Sequence, residues 1–202
     1  MEITKHTDPW VHYTIKDFIT YDENCMIYHL CMRNLDEEAY KDKSMFWLDY
    51  ERDEHSQGEY QNNAPVFCPM PHELNVKIQS QLDQINDYLD IHDLTAWSFN
   101  TNLTYDHKDK PLRPHNDDYE KLKQYGAGKI KLLVYIGLNN RPYPNWGTKL
   151  YTRADDYSSF AKEIEYEPGT AFFFVPNETS YHGTDFTDGL DGYRFILGAE
   201  YA

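Results

Sequence analysis

In Ile130-Lys-Leu-Leu-Val-Tyr-Ile-Gly-Leu138, the residues Ile130, Leu132, Val134, Ile136 and Leu138 fall at every second position. Side chains two apart in an extended chain point to the same side, so this spacing predicts a strand with one apolar face. Upstream, Trp97, Phe99, Thr101, Leu103 and Tyr105 give the same signal. Downstream, Lys149–Tyr151 and Ile164–Tyr166 read as short strands, Ala171-Phe-Phe-Phe-Val175 as a buried one, and Tyr193–Tyr201 as the last. Gly, Pro and Asn turns separate them, the pattern of a sandwich, barrel or jelly roll.

Before residue 95 the period changes. Leu74, Ile78, Leu82, Ile85 and Leu89 form one stripe at helical spacing, which predicts a helix over 72–91 lying on a sheet. Thr20 followed by Glu23 has capping-box spacing, so a second helix is expected to run to about Arg33. Trp10–Ile19 alternates and reads as a strand. Residues 34–70 carry no clear period beyond a candidate strand at Ser44–Tyr50. The expectation is a mainly β chain with flanking helices, an α+β single domain over 1–202. Residues 1–94 would support a strand-rich core at 95–202.

The 202 residues carry 34 acidic and 19 Lys or Arg side chains, a net charge of −15. That balance disfavours nucleic acid as a partner and anionic membrane surfaces as a docking place. Aromatic residues make up 16% of the chain, too many for a disordered acidic segment. Cys25, Cys31 and Cys68 have neither disulfide-framework nor zinc spacing. With no signal pattern at the start and no membrane-length apolar run, a cytoplasmic protein is expected.

The nine histidines are the hint of chemistry. An iron site of the two-His-one-carboxylate type needs three ligands on one side of the metal, with other positions open. In a strand, His-x-Asp would send an imidazole and a carboxylate the same way. The motif occurs at His6-Asp8, His107-Asp109 and His115-Asp117, against about one match expected by chance, so context must decide. His6 lies among the first residues, where order is expected to be poor, and His107 sits in a charged stretch that reads as a turn. His115 precedes the strong 130–138 strand. His182, following the buried 171–175 run and preceding Gly183, suits a third ligand from a facing sheet. The other histidines read as structural or surface. Lys121, Lys123, Lys129 and Lys131 cluster beside the site and read as a solvated edge.

Arg194 stands in the otherwise apolar Tyr193-Arg-Phe-Ile-Leu. Its partner would be Glu200 on the same strand face or the carboxylate of a ligand held in a bidentate pair.

His115-x-Asp117, His182 and Arg194, in this order, resemble the Fe(II)/2-oxoglutarate-dependent dioxygenase superfamily, in its prolyl 4-hydroxylase-like branch. Ile15–Cys25, Leu133–Asn139, Gly147-Thr-Lys-Leu150 and Pro168–Gly183 resemble that branch's entry strand and helix, its Tyr-Leu-Asn strand, its Gly-Gly-x-Leu turn and its approach to the second histidine. Gly137, Thr148 and Ile196 depart from the branch pattern. The resemblance implies a double-stranded β-helix (jelly roll) core. It implies Fe(II) on His115, Asp117 and His182, with 2-oxoglutarate on Arg194 and Tyr105. O2 would be the other cosubstrate and ascorbate a reductant. A small molecule, a free amino acid or a peptide residue would be hydroxylated. Two other readings are a jelly roll kept for binding or particle structure without redox chemistry, and a nucleobase oxidase. Donor groups more than about 5 Å apart would favour the structural one, since first-row metal bonds are near 2 Å.

Overall fold

The period-two segments form two antiparallel sheets, and the two faces of the larger sheet face different layers. The computed structural model describes residues 1–34, 45–49, 72–91, 97–105, 113–117, 130–138, 141–184 and 193–201. Ten strands lie in these segments: β1 (Ile3–His6), β2 (His12–Ile15), β3 (Met45–Asp49), β4 (Trp97–Tyr105), β5 (Ile130–Ile136), β6 (Tyr143–Tyr151), β7 (Phe160–Tyr166), β8 (Ala171–Phe174), β9 (His182–Gly183) and β10 (Tyr193–Tyr201). Two helices accompany them, α1 (Tyr21–Asn34) and α2 (His72–Leu89). The large sheet runs β1-β2-β8-β5-β10-β4-β3 and the small one β7-β6-β9. The described chain is therefore mainly β with two helices. No helix among the described residues is long and apolar enough to cross a membrane.

Alternation sorts the core. Ile130, Leu132, Val134 and Ile136 of β5, Ala171 and Phe173 of β8, and Phe195 and Leu197 of β10 pack with Ile27 and Cys31 of α1 and with Leu74, Ile78, Leu82 and Ile85 of α2. The intervening residues Tyr135, Phe172, Phe174 and Ile196 point the other way, onto Leu150, Ile164 and Tyr166 of the small sheet. Each such side chain, fully buried, contributes roughly 1.5–3 kcal/mol of transfer free energy. Tyr166 ties the layers together. Its hydroxyl donates to the Ile136 carbonyl at 2.6 Å and accepts from the Phe195 amide at 3.1 Å.

The capping box at α1 forms in both directions. The Thr20 amide donates to Glu23 Oε2 at 2.7 Å, and the Glu23 amide to Thr20 Oγ1 at 3.3 Å. Lys77 of α2 donates to the same Glu23 carboxylate at 2.6 and 2.8 Å, fixing one helix on the other. Asn24 is buried and receives the end of β5. Its Nδ2 donates to the Gly137 carbonyl, and its Oδ1 accepts from the Gly137 amide.

Several sequence expectations need correction. His6 lies in a strand the alternation did not reveal, and pairs across to His12. The strand expected over 10–19 is only His12–Ile15, because Asp17 turns with a positive φ of 51° before Phe18 and Ile19 enter the core. β5 stops before Leu138, because the Asn24 amide takes the backbone groups of Gly137 that a continuing ladder would use. Gly147 lies inside β6 at a bulge rather than in a turn. Its amide donates to Glu163 Oε1, and a Cβ there would sit 2.1 Å from the Ile164 carbonyl oxygen. Gly137 has its own packing reason: a Cβ would stand 3.0 Å from Pro168 and 3.1 Å from the Tyr143 ring. The turn proposed around His107 and most of 34–70 lie outside the described residues; β3 falls where the Ser44–Tyr50 strand was expected.

Candidate metal centre

His115 and His182 are direct antiparallel partners. Each amide donates to the other's carbonyl, at 3.0 and 2.8 Å, in an isolated bridge that extends the edge of β9. Leu150 of β6 pairs with His182 from the other side. The segment before His115 is anchored to the turn after β6: the Asp155 amide donates to the Pro114 carbonyl, and Arg113 pairs with the Asp155 carboxylate. A pair of residues exchanging both backbone bonds has its side chains on one face of the sheet, so the two imidazoles emerge together. Their ring centroids are 4.6 Å apart.

Asp117 joins them by a different route from the expected one. Residues 115–117 are not a regular strand. Asp117 has φ 54°, in the left-handed region that Asp tolerates better than most residues. A turn, not strand alternation, brings its carboxylate back to the histidines. Asp117 Oδ1 lies 3.5 Å from His115 Nε2, and Oδ2 lies 3.4 Å from His182 Nε2. One donor atom from each of the three residues lies within 4.8 Å of the others.

The second nitrogen of each ring is occupied. His115 Nδ1 donates to the Arg113 carbonyl at 2.9 Å and His182 Nδ1 to the Ser180 carbonyl at 3.0 Å. Both bonds hold a proton on Nδ1 and turn Nε2 toward Asp117, the outer-shell arrangement that orients metal-binding histidines. Asp117 Oδ2 is buried with no hydrogen-bond partner, a costly state for a carboxylate oxygen. Three donors bonded at about 2 Å to one ion stand roughly 3–4 Å apart; each imidazole lies at such a distance from one Asp117 oxygen, and the set with one atom per residue lies within 4.8 Å. The residues present fit a divalent first-row metal.

The electrostatics agree. Burial raises the cost of ionising Asp117, but His182, the hydrogen bond from His115, and Lys131 outweigh it and hold the carboxyl well below its usual range. For His115, Asp117 outweighs burial and raises the pKa; for His182, which is more deeply buried, burial wins and lowers it.

Tyr105 ends β4 and Arg194 is the second residue of β10. The register sets Tyr105 opposite Tyr193 and Arg194 opposite Thr104, so the two positions are offset by one residue and fall on opposite faces of the sheet, not on the common face the sequence reading expected. Tyr135 is buried, and its hydroxyl donates to Thr148 Oγ1 at 2.9 Å.

Lys131 was missed. The sequence placed it on a solvated edge, yet its side chain is 17% exposed and its Nζ lies 3.4 Å from Asp117 Oδ1. The signal was present in the alternation. If Ile130, Leu132 and Val134 face the helices, Lys131 must face the interior.

No family model matches the sequence, and no curated protein matches it. The backbone does resemble solved structures. A prolyl-4-hydroxylase from Pseudomonas putida has a TM-score of 0.53 at 16% identity, over 94% of this chain and 91% of that one. The 2OG complex of a viral collagen prolyl hydroxylase from Paramecium Bursaria Chlorella virus-1 has a TM-score of 0.53 at 15% identity, over 94% of each chain. HygX from Streptomyces hygroscopicus, with nickel and 2-oxoglutarate bound, has a TM-score of 0.57 at 11% identity, over 95% of this chain and 82% of that one. At these identities the likeness establishes the fold.

Proposed function

We propose that this chain is a non-haem Fe(II)- and 2-oxoglutarate-dependent dioxygenase with a double-stranded β-helix core, hydroxylating a peptide or protein residue or a free amino acid. The observation that carries the reading is the donor set. Two imidazoles with locked tautomers face a buried carboxylate oxygen that has no hydrogen bond. The separation below 5 Å favours this reading over a jelly roll kept for binding or structure.

His115, Asp117 and His182 would hold the iron. By strand alternation position 194 falls on the Ile196 face of β10, which looks into the space between the sheets. Arg194 there would receive the far carboxylate of 2-oxoglutarate; Tyr105, paired with Tyr193, falls on the opposite face of the sheet by the same alternation. Bound Fe(II), 2-oxoglutarate and O2 supply the oxidation, in which the keto acid is split to succinate and CO2 and one oxygen atom goes to the substrate. The chain's own tasks are narrower. The Arg113 and Ser180 carbonyls orient the imidazoles. The Phe174 ring, 5.1 Å from His182, walls that side of the site with apolar surface and keeps water from the ligand. Tyr135 and Thr148 satisfy each other, so neither hydroxyl is left unpaired in the interior.

The test is succinate formation from 2-oxoglutarate by purified protein with Fe(II), first without and then with candidate amino acids and peptides. Wild type is expected to bind 2-oxoglutarate in a metal-dependent way and to turn it over slowly. Arg194→Ala should weaken that binding more than tenfold. If His115→Ala and His182→Ala match wild type in both assays, the proposal fails.

A further inference from the structure

Asp117 has two oxygens in unequal surroundings. Oδ2 faces His182 Nε2 and lacks a hydrogen bond, while Oδ1 faces Lys131 Nζ at 3.4 Å and His115 Nε2 at 3.5 Å. Lys131 reaches this place from β5, where it stands opposite Phe174, the residue whose ring abuts His182. Its neighbours on the inner face of β5 are the half-buried Leu133 and the buried Tyr135. An ammonium on such a face costs desolvation, and replacing a buried ion pair with apolar side chains is often neutral or stabilising. Across the sheet Lys131 stands opposite Glu200 of β10 as well as Phe174 of β8; what sets it apart is that its ammonium is brought to Asp117 Oδ1.

We propose that Lys131 is a positioning residue for Asp117: it holds Oδ1, so that the carboxylate offers a metal the single oxygen Oδ2, and it biases the bound ion toward the divalent state. The inference rests on the metal reading above. Two effects of the lysine have the same sign. A cation beside the site disfavours the ferric ion, which carries one more positive charge than the ferrous. A carboxylate prevented from adding its second oxygen is also the weaker donor, and the ferric ion gains more from a second anionic oxygen. Outer-shell partners of metal-bound carboxylates act in this way on ligand orientation and metal chemistry.

The experiment compares wild type, Lys131→Met and Lys131→Arg without prime substrate. A mediated redox titration gives the ferric/ferrous midpoint potential. The visible spectrum of the Co(II)-substituted protein reports coordination number. Lys131→Met is expected to favour the ferric form at least tenfold, a fall of about 59 mV for one electron, and to shift the Co(II) bands toward higher coordination. Lys131→Arg should keep both close to wild type. Should the Met variant not fold, Lys131→Gln takes its place with the same expectation. An unchanged potential and Co(II) spectrum in Lys131→Met overturns the inference, as does a loss of 2-oxoglutarate affinity with the potential unmoved, which would make Lys131 a cosubstrate anchor. If wild type itself binds no Co(II) or Fe(II), the metal reading fails, and the inference with it.

Discussion

Among the described residues two histidine pairs lie close, and they have different partners. His6 and His12 stack at 4.8 Å with rings 12° apart, and His115 and His182 lie at 4.6 Å with rings 46° apart. Local anchoring is nearly the same. His12, His115 and His182 each donate Nδ1–H to the carbonyl two residues back, of Trp10, Arg113 and Ser180. What differs is the third group. His6 Nε2 is hydrogen-bonded to Thr14 Oγ1, and His12 Nε2 is buried among aromatic rings with no partner. At the other pair, the turn at Asp117 delivers a carboxylate to both Nε2 atoms. A locked tautomer and a neighbouring ring are common to both pairs; the converging anion is what the second pair adds.

The largest expected effect removes that anion. Asp117→Ala should lower metal affinity by more than about 100-fold, beyond the usual outer-shell loss, as read by Ni(II) calorimetry. His12→Phe should leave it within error. Equal losses in the two variants would erase the distinction between the pairs.

Next is pH. Burial, opposed in part by the bond to Trp10 and by Asp8, and helped by His6 and Lys162, pushes His12 down to about 4. Unfolded histidine takes up its proton near 6.5, so the unfolded state binds more protons between these values. Stability should be undiminished by His12 above about pH 6.5, fall by up to about 1.4 kcal/mol per pH unit toward pH 4, and level off below. His12→Phe should flatten that part of the curve in chemical denaturation. An identical slope would show that His12 does not titrate as its burial demands.

Asp117 sets a separate window. Its depressed pKa contributes stability that is present above about pH 3.8 and lost as pH falls below it. Asp117→Asn should remove the component below pH 3.8 and leave the His12 component intact.

The smallest effect is at His6. His6→Phe keeps a ring on His12 and loses one partly exposed hydrogen bond, at a cost of about 0.5–1.5 kcal/mol. Metal binding and turnover should not change. A metal-binding defect in this variant would mean that the two pairs are coupled through the sheet.

The amino-acid sequence by itself determined which faces are apolar and where periods change. Those follow from backbone geometry, which fixes alternation in strands and stripes in helices, so β5, β10, α2 and the capping box at Thr20 were legible. It also placed His115, Asp117 and His182 as candidates, through their order along the chain. Tertiary structure alone decided that His115 and His182 are bonded neighbours, that a left-handed residue rather than a strand aims Asp117, and that the inward-facing Lys131 meets that carboxylate. Each of these depends on contacts between segments far apart in the chain. Local propensity carries no information about which partner a strand edge will meet, or about the charge waiting there.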